Sequence, residues 1–334
     1  MTFDDHLPVI DLHRHLDGNV RLETILELGR QHHLPLPAWD VEGLRPYVQV
    51  TVPQPGILAF FTKFEWMRRV LVDYEACHRV AYENVEDAKN EGMDYVELRF
   101  SPWFMAETHQ LDPAGVVEAV CAGIAEGQRD FDLPVGLIGI LSRTYGPQIA
   151  WQELQALLTQ RESLRALDLA GDEIHFPGEL FVEHFRTARA AGWQVTAHAG
   201  EADGPRSMWQ AINELGARRI GHGIRAVEDP GLLDYLADER IGIETNLTSN
   251  LQTSSVKDYA SHPVRRFLEH GIPTNLNTDD PGISNITLEY EVRVAAPAAG
   301  LSPAMIRQTQ RDALEMAFLS PAEKQALLER KTNL

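Results

Sequence analysis

The 334-residue chain is 44% hydrophobic, enough to bury a large core as two ordinary domains or as one large α/β barrel. Its 30 Lys and Arg against 49 Asp and Glu leave a net charge of −19 with no basic run. That balance argues against nucleic acid or an anionic membrane surface as partner and favours a small neutral or cationic substrate.

The chain opens MTFDDHLPVI, with neither a basic n-region nor a long apolar h-region, so no signal peptide is expected. No stretch reaches the roughly 18–20 apolar residues of a membrane span. The two cysteines, Cys77 and Cys121, fall in predicted helices, match no C-x-x-C spacing and read as free thiols of a reducing compartment. The expectation is a soluble, cytoplasmic protein.

The first apolar run is PVIDLHRH (8–15), which ends on two histidines and continues into Leu16, Asp17 and Gly18. A long gap follows, holding RLETILELGRQHH and then ILAFFTKFEWMRRVLVDYEACHRVAYENVEDAKNEG. The gap exceeds what one helix needs, so extra helices are expected over about 20–90. Phe60, Phe61, Phe64 and Trp66 there are candidates for an apolar lid, or else pack these helices onto the rest. The next runs are MDYVELRFS (93–101), PVGLIGILS (134–142), LRALDLAGDE (164–173) and WQVTAHAGE (193–201). RRIGHGI (218–224), RIGIETNLTSN (240–250) and IPTNLNTDDPG (272–282) complete a set of eight. All are short, rich in Val, Ile and Leu, and too continuous to be half-exposed, as buried parallel strands should be.

Between them lie segments with helical spacing. FVEHFRTARAAG (181–192) places apolar residues three and four apart and offers Gly192 as a stop; SMWQAINELGA and DPGLLDYLADE behave likewise. Eight βα repeats without a Pro/Gly/Ser-rich linker predict a (β/α)8 TIM barrel. It would be a single domain over 1–334, with a helical lid inserted after the first strand. A doubly wound open sheet is the alternative, but no GxGxxG follows the first strand.

Polar residues gather at the C-terminal ends of the predicted strands: His13, His15 and Asp17 on the first, His198 and Glu201 on the fifth, His222 on the sixth, Asp279 and Asp280 on the eighth. In a barrel of this kind the loops at that end converge on one mouth. Side chains two apart on a strand share a face, so His13 and His15 point the same way and Arg14 the other. Strand eight neighbours strand one in a closed barrel, bringing Asp279 alongside, while His198 approaches from across the mouth. Three imidazoles and a carboxylate suit Zn2+ with a position left for water. A polar cluster without metal competes; His13 and His15 alone would favour it, and the addition of His198 and Asp279 favours metal. Glu201, beyond the strand end, is placed to shuttle a proton. His222, between Gly221 and Gly223, could hold an attacking hydroxide.

The ordered set HRHLDG, DLAGDE (168–173), TAHAGE (196–201), RIGHGI (219–224), TSN (248–250) and NTDDPG (277–282) resembles the adenosine deaminase family. The likeness runs from about residue 6 to the C-terminal SPAEKQALLE. It implies a barrel with one zinc per chain that hydrolyses adenosine and 2′-deoxyadenosine to inosine or deoxyinosine plus ammonia, in purine salvage. By this resemblance His13, His15, His198 and Asp279 match the zinc ligands, Glu201 the acid that protonates purine N1, and His222 the histidine that orients the hydroxide attacking C6. Asp279 counts among the catalytic residues beside Glu201 and His222. The substrate-binding set is His15 with Asp17 at the ribose 5′-hydroxyl, Gly171 through its backbone N–H at N3, and Asp280 at N7.

These roles cohere. Attack at C6 drives electron density into N1, where a carboxylic acid neutralises it, and a carboxyl at N7 helps only if it holds a proton, so Asp280 should have a raised pKa. Asp17 would repel a 5′-phosphate, favouring the nucleoside over the nucleotide. Cytidine-deaminase-type zinc sites need a P-C-x-x-C signature that this chain lacks, and its fourth strand offers no lysine for a second metal. Adenine deaminases, deaminases of modified adenine nucleosides and a catalytically dead barrel are the rival readings. Gly18 is expected to let the chain leave the barrel toward the lid.

Overall fold

In the computed structural model, which describes residues 3–332, the apolar runs form eight parallel strands. They are β1 Ile10–His15, β2 Tyr95–Phe100, β3 Val135–Ser142, β4 Ala166–Ala170, β5 Gln194–Ala199, β6 Arg219–His222, β7 Gly242–Thr245 and β8 Thr274–Leu276. Each pairs with the next in chain order. The ring closes just past β8, where Arg14 bridges Asp279. There the His15 N–H donates to the Asp279 carbonyl at 2.7 Å and the Asp279 N–H to the His13 carbonyl at 2.8 Å. The candidate metal residues thus sit on the seam that makes the sheet a barrel.

Several strands are shorter than their apolar runs suggest, because the motif residues at the mouth leave the extended conformation. Gly171 turns the chain at φ +112° immediately after β4. The TSN segment lies on a helix, Leu247–Gln252, not on β7, and NTDDPG leads from β8 into the helix Pro281–Ser284. The outer helices follow the predicted spacing. Val182–Ala190 stops before Gly192, and Pro230–Asp238 is capped by Asp229, whose carboxylate accepts the N–H groups of Gly231 and Leu232. The SMWQAINELGA stretch divides into a helix Pro205–Gln210 and a wider turn Ala211–Leu215.

Between β1 and β2 the chain forms helices Leu22–Gln31, Val41–Val48, Ile57–Phe60 and Glu65–Arg69 before the long helix Tyr74–Asn90. Tyr74–Asn90 packs along Pro113–Phe131, the helix that follows β2, and is the ordinary barrel helix of its unit. The four shorter ones are additional, and the stretch at the last two brings Phe60, Phe61 and Phe64 to the cavity described below. Trp66 lies instead beneath the Arg69 guanidinium, 5.3 Å from its ring centre.

The barrel interior is charged. Arg219 lies between Glu97 (2.5 Å) and Glu244 (2.7 Å), and Arg99 between Glu244 (2.9 Å) and Asp168 (2.9 Å). All five are fully buried or nearly so. Beneath them the Phe318 ring closes the base, 3.6 Å from the Arg219 guanidinium. Such groups persist out of water only when each charge finds partners and hydrogen bonds, as these do.

Candidate metal centre and active site

On β1 the two-residue step puts both imidazoles inside the barrel, while Arg14 turns outward to Glu91 at 2.7 Å. His15 Nε2 lies 3.2 Å from His198 Nε2 and 3.4 Å from Asp279 Oδ1, and His13 Nε2 lies 3.1 Å from the same carboxylate oxygen. One donor atom from each of His13, His15, His198 and Asp279 falls within a single 4.8 Å cluster. The far nitrogens of two rings are fixed: His13 Nδ1 meets Glu244 at 2.7 Å and His198 Nδ1 meets Asp168 at 3.0 Å. Both rings therefore aim Nε2 at the common centre, the arrangement by which carboxylates orient metal-binding histidines. Burial works against the two supporting carboxylates, yet Arg99 and the imidazoles outweigh it and hold Asp168 and Glu244 well below the usual carboxylate range. His13 Nε2 is buried and makes no hydrogen bond. An orphaned buried nitrogen among two more imidazoles and a carboxylate fits a divalent transition metal.

Gly221 is required by this packing. A Cβ there would stand 2.9 Å from His13 Cε1, so a side chain at this position would push the imidazole aside.

Next to the cluster stands Glu201. Burial, reinforced by the charges of Asp279 and Glu173, pushes its carboxyl up to about 8, so it carries a proton at neutral pH. His222 Nδ1 lies 3.6 Å from Glu201 Oε1, and its Nε2 lies 3.8 Å from Asp279 Oδ2. Burial lowers the His222 pKa and keeps the ring neutral. Asn250 fixes its tautomer: the side-chain amide donates to His222 Nδ1 at 2.9 Å, leaving the proton on Nε2. His222 and Asp279 both adopt left-handed backbone angles, φ 64° and 63°, rare for residues with a Cβ and typical of functional sites.

Asp17 Oδ2 accepts the Ser101 N–H at 2.9 Å, and its Oδ1 is buried without a hydrogen bond, 3.6 Å from His15 Nδ1. Asp280 likewise leaves Oδ1 unpartnered, and burial together with Asp279 pushes its carboxyl well above its ordinary value. That oxygen lies against Gly18, where any Cβ would overlap it. Gly18 therefore makes room for Asp280, a packing role besides the exit toward the lid expected of it.

These groups line one cavity. An inner part of about 60 Å³ is bounded by His15, Gly171, His198, Glu201, His222, Asp279 and Asp280 under the rings of Phe60, Phe61 and Phe64. It adjoins an outer part of about 240 Å³ walled by Asp17, Ser101, Phe104, Tyr145 and Gly171. A larger space of about 900 Å³ lies at the opposite end of the barrel and holds none of these groups; its Arg165 and Arg240 are paired with Glu323 and Glu315. Volume alone would select the wrong end, and the convergence of polar groups selects the mouth.

Several residues that hold the candidate site together carry no motif of their own in the sequence. Asp168, Glu244 and Arg99 appear there only as polar interruptions of apolar strands, which is the one signal they leave. Glu173 ends the DLAGDE motif; its carboxylate accepts the N–H groups of Gly200 (2.6 Å), Glu201 (3.2 Å), Ala202 (2.8 Å) and Asp203 (2.9 Å), and also the Ser207 hydroxyl. Asn250 ends the TSN motif.

The adenosine deaminase family model matches residues 8–333. An adenosine deaminase of Klebsiella pneumoniae is 59% identical over 327 residues, 98% of each chain. Among solved structures, an adenine deaminase from Arthrobacter aurescens superposes with a TM-score of 0.90 at 24% identity over 98% of each chain. An amidohydrolase from Burkholderia ambifaria, solved with bound Zn, gives a TM-score of 0.88 at 24% identity, over 98% of this chain and 90% of that one. Those two likenesses bear on the fold. Among the described residues no helix is long and apolar enough to cross a membrane. The family match and the close relative together place this chain in the adenosine deaminase family, as a hydrolytic deaminase built on a (β/α)8 barrel.

Proposed function

We propose that this chain is a cytoplasmic, zinc-dependent enzyme of purine salvage that converts adenosine and 2′-deoxyadenosine to inosine and deoxyinosine with release of ammonia. The observation that carries this reading is a buried Glu201 carboxyl beside a His/Asp cluster that offers four donor atoms to a metal. His13, His15, His198 and Asp279 would hold one Zn2+, which when bound lowers the pKa of water from 15.7 to about 7 and so makes a nucleophile available at neutral pH.

The chain's own residues account for the rest. Glu201 gives its proton to N1 as oxygen adds to C6, so the electron pair displaced from the ring ends on a neutral nitrogen. His222, neutral and held by Asn250, orients the attacking water through Nε2. One proton of the water restores the Glu201 carboxyl and the other passes to N6, so the C6–N6 bond breaks with ammonia as the leaving group and the C6 carbonyl forms. Asp280, protonated, donates to N7, and the Gly171 N–H faces N3. Asp17 receives the 5′-hydroxyl and repels a phosphate at that position. Phe61 and Phe64 exclude water over the base.

The test is a spectrophotometric assay of adenosine, 2′-deoxyadenosine, adenine and AMP, with and without a chelator and after zinc is restored. Adenosine should be the best of these by kcat/KM, and chelated enzyme should be inactive until reloaded. Faster turnover of adenine or AMP would overturn the substrate assignment, and full activity without metal would overturn the zinc. Glu201→Gln should lose about 10²–10⁴-fold in kcat while retaining its metal by elemental analysis.

A further inference from the structure

The reaction assigned above gives Glu173 no chemical step, yet its carboxylate is almost fully used. Oε1 accepts the Gly200 N–H and the Ser207 hydroxyl; Oε2 accepts the N–H groups of Glu201, Ala202 and Asp203. It is 4% exposed, and the positive charge acting on it is that of the buried Arg143, which makes no ion pair with it among the described residues. Four consecutive backbone N–H groups and a hydroxyl converge on its two oxygens. A carboxylate of this kind fixes the path of the turn around it.

The turn it fixes carries Glu201. At the other end, Glu173 lies two residues after Gly171, and the span between them is pinned where the Asp172 N–H donates to Thr144 Oγ1 at 3.0 Å. The β4 loop and the β5 loop are therefore joined through one side chain.

We propose that Glu173 is a positioning residue that fixes the separation between the Gly171 N–H and the Glu201 carboxyl, so that the N1–N3 edge of the purine meets one rigid unit. This rests on the roles given to Gly171 and Glu201 above. A carboxylic acid must stand within hydrogen-bond reach of N1 while charge develops there, and a shift of about 1 Å can cost on the order of 100-fold in rate. Glutamine at this position would turn an NH2 group toward backbone N–H donors, and the turn would have to move.

The experiment uses full-length, zinc-loaded enzyme. Glu173→Gln should lower kcat for adenosine by about 10–100-fold with KM changed by less than about threefold, at unchanged zinc content and far-UV circular dichroism. Hydrogen exchange of the amides of residues 200–203 should quicken in the same variant. In a Glu201→Gln background the second substitution should cost less than about threefold, because the group it positions is already gone. Should Glu173→Gln fail to fold, Ser207→Ala removes one donor and should still quicken exchange over 200–203 with a several-fold loss of kcat. Wild-type kcat with unchanged exchange, or fully multiplicative losses in the double variant, would overturn the proposal. The Glu201→Gln enzyme separates the two readings: full activity in it overturns the role of Glu201, whereas its inactivity beside a fully active Glu173→Gln overturns the role of Glu173 alone.

Discussion

At Gly18 the absence of a side chain carries the consequence. Asp280 Oδ1 occupies the space a Cβ would take, so Gly18→Ala forces that carboxyl to move. The oxygen has no hydrogen-bond partner among the described residues, and moving it breaks no hydrogen bond among them. The overpacking itself should cost about 1–3 kcal/mol in urea unfolding. If Asp280 serves the substrate from this position, kcat/KM for adenosine should fall by about tenfold or more, the value of one lost polar contact. An unchanged kcat/KM would remove Asp280 from that role. The two histidines upstream were legible because a strand repeats every two residues, and that period alone puts both rings inside. Gly18, Glu173 and Asn250 were not, because each acts on a partner brought near only by tertiary closure: a carboxylate past β8, a turn past β5, an imidazole at the end of β6.

The eight strands were legible as apolar runs, but their C-terminal limits were not. Motif residues there must aim side chains and N–H groups into the mouth, which bends the backbone out of the extended state at Gly171, His222 and Asp279. The other strand ends at the mouth are fastened from behind, and Glu153 on the helix Gly146–Leu158 does this for two of them. It accepts the Ser101 hydroxyl at 2.6 Å and the Ser142 N–H at 2.8 Å, tying the ends of β2 and β3 together behind Asp17. Burial pushes its carboxyl up to about 7, against an ordinary value of 4.5. The folded pKa exceeds the unfolded one, so its stabilising contribution is full below about pH 4.5 and is lost as pH rises through about 7. Over that window the loss is on the order of 3 kcal/mol. Glu153→Gln removes the titration, so metal-loaded protein unfolded in urea at pH 5 and at pH 7.5 should show a smaller difference between the two conditions than wild type. An equal difference would mean that Glu153 is already ionised in the folded protein at pH 5.

Across the whole molecule, the count of buried runs was enough to indicate a closed barrel, but the charge ladder inside it was not legible. A charged residue within an apolar strand gives no sign of whether it faces water or an opposite charge, and only closure brings Glu97, Arg99, Asp168, Arg219 and Glu244 together. The ladder runs from Phe318 at the base up to Glu244, which holds His13. Arg219 therefore joins the base of the barrel, through Glu244, to the His13 ring of the candidate metal site. Besides its two carboxylates it donates to the Met316 carbonyl at 3.0 Å, joining the barrel to the C-terminal helices. Arg219→Met keeps much of the volume and leaves Glu97 and Glu244 short of a cation. Removing one partner from such a buried set should cost about 3–5 kcal/mol in urea unfolding, since the remaining charges stay out of water without compensation. The same substitution releases one of the groups that hold Glu244 in place against His13. Loosening a carboxylate behind a metal-binding histidine should weaken zinc affinity by about 10–100-fold, read by competition with a chromophoric chelator. Loss of stability with unchanged zinc affinity would confine the ladder to holding the barrel together, whereas loss of both would make the base of the barrel part of the metal centre at its mouth.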